Sequence, residues 1–146
     1  MSDDFSIFWR NNEQASALFY DLLARGEQDA YDDAFLAQLA AYREAGGDAA
    51  HADIFAAQYL LANGDAVSAA VCGERSYHRR PLAPITWQTL AAAYKAQGHY
   101  VDALIMQGYL SSCFNVPIDL NLPRDVLTQD VLDRLSVAMG KPSYAP

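Results

Sequence analysis

The chain has 146 residues, 52% of them hydrophobic and 19% charged, with a formal net charge of -8 and a pI near 4.6. That length can bury the core of one domain, and that composition excludes a disordered chain. The acidity argues against a nucleic-acid partner, which needs clustered Lys and Arg, and equally against an anionic membrane surface.

The start, Met1-Ser2-Asp3-Asp4, lacks the basic-then-apolar order of a signal peptide, and no apolar run approaches the ~20 residues of a membrane span. A cytoplasmic protein is expected. Phe5, Ile7, Phe8 and Trp9 follow capping candidates and are expected to pack as a lead-in turn or short helix. Ala15, Leu18, Phe19, Leu22 and Leu23 form a helical stripe that should stop near Gly26. Asp29 is the expected N-cap of a second helix with the stripe Tyr31, Ala34, Phe35, Leu39 and Tyr42, closed by Gly46-Gly47. Asp48 should open a third, apolar around much of its circumference through Ile54, Phe55, Tyr59, Leu60 and Leu61, and Asn63-Gly64-Asp65 should turn it. A fourth carries Val67, Ala70 and Val71 and fades at Tyr77-His78-Arg79-Arg80-Pro81.

Pro84 suits the first turn of a fifth helix, because its missing N–H would have no intrahelical partner there. The stripe Trp87, Leu90, Ala91 and Tyr94 follows, and Gly98 ends it. Val101, Leu104, Ile105, Gly108 and Tyr109 make a sixth stripe, so these two helices must fold back on each other. After a proline-interrupted loop, Asp125 should begin a seventh helix over residues 125–139, carrying Val131, Leu132, Leu135 and Met139 and ended by Gly140. Lys141–Pro146 has no periodicity and reads as a tail.

The segment Trp87, Leu90, Ala91, Tyr94, Gly98 and Ala103 resembles the tetratricopeptide repeat, a helix–turn–helix of about 34 residues with a W-x2-L-G-x2-Y signature. It departs at the repeat's end, where Gln107 and Asn115 replace the aromatic and the proline, and Pro117 comes two residues late. Shifting the chain by one repeat length brings Ala57 onto Ala91, Gly64 onto Gly98, Val67 onto Val101 and Ala69 onto Ala103, while Asp53 stands where Trp87 does. The resemblance implies an all-α fold: an α-solenoid of about three stacked antiparallel hairpins, at 13–45, 49–80 and 84–114, plus a C-terminal capping helix. It also implies a non-catalytic module that binds a peptide or partner helix in the concave groove of its first helices.

The groove positions are the side of each first helix away from its core stripe. They are Gln88, Ala92 and Lys95 on the fifth helix, Ile54, Gln58 and Leu61 on the third, and Ser16, Tyr20 and Leu23 on the first. The alternative is an N-terminal recognition or dimerisation arm of a larger bacterial enzyme, such as a transferase. Self-association through an exposed apolar helix face would make it a homodimer.

No catalytic, cofactor or metal set is expected. His51, His78 and His99 have no ligand spacing, and no phosphate loop or nucleophile motif is present. Cys72 and Cys113 read as buried structural thiols. Arg75, His78, Arg79 and Arg80 form the one basic cluster, either opposing a helix dipole at its C-terminus or contacting an anion or acidic peptide. Gly73 and Gly108, inside helices, read as marks of close helix crossings rather than of a ligand site.

Overall fold

The computed structural model describes residues 12–81 and 83–140. The expected lead-in aromatics and the C-terminal tail lie outside them. Among the described residues the fold is all-α, with seven helices, one 3-10 turn and no strand. The chain divides into two compact units, Met1–Pro81 and Leu82–Pro146.

The first unit holds α1 (Glu13–Glu27), α2 (Asp33–Glu44), α3 (Ala49–Ala62) and α4 (Ala66–Arg79), with α1 on α2, α2 on α3 and α3 on α4. Its core is aromatic. Phe19, Phe35, Tyr42 and Phe55 are buried together with Ala15, Leu22, Leu39 and Ala52. The Phe55 ring stands edge-on to those of Phe19 at 5.4 Å and Tyr42 at 6.0 Å, the arrangement that the ring quadrupole favours.

Helix α1 ends at Glu27, beside Gly26 as expected, and a Cβ at Gly26 would come within 2.9 Å of the Tyr31 hydroxyl. Local chemistry corrects the start of the next helix: Asp29 does not cap α2 but takes a left-handed φ of 53°, and Asp32 accepts the Phe35 N–H at 3.1 Å instead. Tyr31 therefore precedes the helix, and Ala34 is exposed rather than in the stripe.

Asp48 caps α3 as expected, accepting the His51 N–H at 2.9 Å. In α4 Ala70 and Cys72 are buried as expected, but Val67 and Val71 are exposed, and Ala69, Gly73 and Ser76 complete the buried face. The smallest side chains face inward because two helix backbones come close only where little projects between them. Ser76 then adds a buried hydrogen bond from its hydroxyl to the Ala50 carbonyl at 3.0 Å, tying α4 to α3.

The second unit holds α5 (Pro84–Ala96), α6 (Tyr100–Phe114), a 3-10 turn at Arg124–Val126 and α7 (Gln129–Ala138). Pro84 opens α5, Gly98 takes the left-handed φ of 79° that ends it, and Trp87, Leu90 and Ala91 are buried. On α6 Leu104 and Gly108 are buried as expected, but Leu110 is buried in place of Tyr109, which is 43% exposed. Thr128, not Asp125, begins the last helix, accepting the Val131 N–H at 3.3 Å, and Leu132 faces outward.

Val131 and Leu135 of α7 are buried with Leu104 of α6, and Val101, Ile105, Ile118, Leu122, Leu127 and Met139 pack around them. Gly108 permits that approach: a Cβ there would sit 2.8 Å from Leu135 Cδ1 and 3.0 Å from Ala138 Cβ. This mid-helix glycine marks a close crossing, as its cost in helix propensity suggests. No described helix is long and apolar enough to cross a membrane.

Candidate functional site

The nine residues assigned to a groove divide between the units, with Ser16, Leu23 and Leu61 half-buried in the first. In the first, Tyr20 is 48% exposed with its ring edge-on to Phe19, and Gln58 is half-buried. Ile54 is only 3% exposed, so it offers no surface to a partner. Helix α3 is apolar on too many sides for elimination to find its outer face.

In the second unit, Gln88, Ala92 and Lys95 come together. With Ala91 they line one side of a cleft of about 340 Å³ that Gln107, Leu110, Val116, Pro117 and Asp119 complete. The segment after α6 is held at this cleft by two polar contacts. The Asp119 backbone N–H donates to Gln107 Oε1 at 2.8 Å, and Lys95 Nζ donates to the Asp119 carboxylate at 2.9 Å. The Lys95 hydrogen bond first, and then the Asn121 N–H, hold the Asp119 carboxyl below its ordinary value.

The basic cluster at the end of α4 is matched by acids on α3. Arg80 forks onto Asp48 through Nη1–Oδ2 at 2.9 Å and Nη2–Oδ1 at 2.6 Å. Arg79 Nε donates to Asp53 Oδ2 at 3.2 Å, and Arg75 Nε lies 3.7 Å from Oδ1. Asp53 is 7% exposed, whereas the Arg75 and Arg79 side chains are more than half exposed. Arg43 of α2 joins them, donating from Nη2 to the Ala52 carbonyl at 3.4 Å. Together Arg43, Arg75, Arg79 and Asp53 line a cleft of about 410 Å³ whose remaining walls are Gly47, Ala49 and Ala52. The helix-dipole account of the cluster omits these carboxylates, and sequence spacing could not pair groups 22 to 32 residues apart.

Asp48 also meets His51, whose Nδ1 lies 3.4 Å from Oδ2. Burial pushes the His51 imidazole down to about 4, against the pull of Asp48 and aided by Arg80, so it is neutral at pH 7. For the Asp48 carboxyl, burial works upward, but the Arg80 hydrogen bonds and the His51 N–H outweigh it and hold the group below its ordinary value. Cys72 is buried, with Arg75 Nη2 at 3.2 Å from its sulfur. Cys113 is exposed, contrary to expectation, because it lies near the end of α6. Among the described residues no three His, Cys, Asp or Glu side chains are grouped to hold a metal ion.

The molecule is thus an all-α protein with an acidic segment held at a cleft in one unit and an arginine-lined cleft in the other. No family model, no curated protein and no solved structure matches this chain.

Proposed function

We propose that this chain is a non-catalytic binding module, a short α-solenoid of tetratricopeptide-like helix pairs capped by α7, which takes an extended acidic peptide at the cleft between α5 and α6. The observation that carries this reading is the chain's own segment Val116–Asp119. A side-chain amide reads its main chain at Asp119, and a lysine reads its carboxylate. Gln107 and Lys95 would make the same pair of contacts to an incoming peptide, with Gln88 and Ala92 bordering it. The contact is weak enough to exchange, since water screens an exposed ion pair and leaves it little net stabilisation.

Selection of a random peptide library on the full chain tests this. Extended peptides with an acidic residue should be enriched, and Gln107→Ala and Lys95→Gln should each weaken their binding. No enrichment, or enrichment indifferent to both substitutions, would overturn the proposal.

A further inference from the structure

We infer that the arginine-lined cleft of the first unit is a binding site for a small phosphate monoester. Among the described residues three guanidiniums face one carboxylate there, so that lining carries two excess positive charges inside a protein whose net charge is -8. Structural ion pairing alone would need no such excess. Asp48 and Arg80 balance each other beside it and leave the surplus unchanged.

The donors are available. A guanidinium carries five N–H groups. Arg79 uses its Nε–H on Asp53, Arg43 uses one Nη donor on the Ala52 carbonyl, and Arg75 turns Nη2 to the Cys72 sulfur. Asp53 takes the Nε edges of Arg75 and Arg79, so it orients both groups without engaging the Nη ends of Arg79. A buried carboxylate that fixes two cations in this way preorganises them, which lowers the entropy lost when a ligand binds.

The charge and shape select the ligand class. A planar carboxylate is satisfied by one bidentate arginine, whereas a phosphate dianion has three oxygens for donors arriving from different directions. Here those directions are supplied by α2 through Arg43 and by α4 through Arg75 and Arg79. The first turn of α3, with Ala49 and Ala52 on the cleft wall, adds the positive end of a 14-residue helix. The volume of about 410 Å³ exceeds a bare phosphate and falls in the range of small-molecule sites, and Gly47, Ala49 and Ala52 leave space for a compact organic body. Among the described residues no aromatic ring lines the cleft, so they offer a nucleobase no stacking partner. This inference is independent of the peptide proposal, which concerns the other unit.

The test is an NMR titration of the full chain at pH 7.5 and constant ionic strength with inorganic phosphate, phenyl phosphate and benzoate. Both phosphates should give saturable shifts at the Gly47, Ala49 and Ala52 amides, with phenyl phosphate the tighter. Benzoate should bind at least about tenfold more weakly than phenyl phosphate, since charge-assisted bonds to the second negative charge are lost. Arg79→Gln and Arg43→Gln should each weaken phenyl phosphate by about tenfold or more. Should Arg79→Gln fail to fold, Arg43→Gln decides, because its one side-chain bond among the described residues is to a carbonyl. No saturable shift, equal binding of benzoate, or affinity unchanged in Arg43→Gln would each overturn the inference.

Discussion

The helix pairs α3–α4 and α5–α6 fill the same place with opposite chemistry. Trp87 and Asp53 are one repeat length apart, as are Tyr109 and Arg75, and Phe114 and Arg80. In α5–α6 the Trp87 ring meets Tyr109 at 5.8 Å and Phe114 at 6.1 Å, both edge-on. In α3–α4 the equivalent link is ionic, Asp53 to Arg75 and Arg79, with Asp48 to Arg80 beyond it. One geometry therefore accepts either an aromatic cluster or a set of ion pairs as the link between its helices. The aromatic version contributes stability. The ionic version leaves surplus cations at the surface, which is chemistry that a ligand can use.

The largest expected effect breaks the aromatic version. Trp87 is 8% exposed, so Trp87→Ala should cost about 3–5 kcal/mol, seen as a large fall in melting temperature. A melting curve left in place would mean that the ring does not hold α5 to α6.

Acid should separate the two versions next. His51 has a folded value of about 4 against 6.5 unfolded, so its contribution is complete above pH 6.5 and is lost as pH falls toward 4. The loss is at most about 3.5 kcal/mol, from the conversion of one pKa unit to about 1.4 kcal/mol. Below this window Asp48 adds to the loss, because its folded value is also lowered. Denaturant unfolding from pH 7 to 4 should show declining stability, and His51→Gln should flatten the slope. An unflattened slope would place the acid sensitivity elsewhere.

Asp53→Asn should have a smaller effect, about 1–2 kcal/mol, since it removes a buried anion from two arginines that water already screens. Urea unfolding measures it. A loss as large as that of Trp87→Ala would mean that the ionic link contributes as much stability as the aromatic one.

Much of the architecture was legible in the sequence, because stripes at helical spacing mark faces, and glycines at 46, 64, 98 and 140 take positive φ where turns were expected. Two kinds of error were physical. Valines were assigned to the buried face of α4 by their hydropathy, but close approach to α3 selects alanine, glycine and serine there. Asp29 and Asp32 are equally good capping residues on paper, and only backbone φ separates them. The sites were half legible. The arginines of α4 stood out in an acidic chain, and Gln88, Ala92 and Lys95 were found by elimination. Asp48, Asp53 and Arg43, and the segment at 116–119 that completes the second cleft, required the fold, since they are remote in sequence from what they touch.

The smallest expected effect concerns how that segment is held. Asp119 is exposed, and its pairing with Lys95 is present at neutral pH and lost as pH falls through its lowered value, below the ordinary 3.8. Asp119→Asn should leave the melting temperature nearly unchanged, because Ile118 and Leu122 still pack in the cluster around Leu104. Local protection should respond nonetheless. The amide at position 119 donates to Gln107, a bond that Lys95 steadies only by fixing the neighbouring carboxylate. Its hydrogen exchange should therefore quicken several-fold, and the amides of Gln88 and Ala92 should shift. The same change should appear in the unaltered protein on acidification. Exchange that stays slow in Asp119→Asn would mean that apolar packing alone fixes the segment. The cleft would then be a rigid part of the fold rather than a surface from which an acidic strand can be displaced.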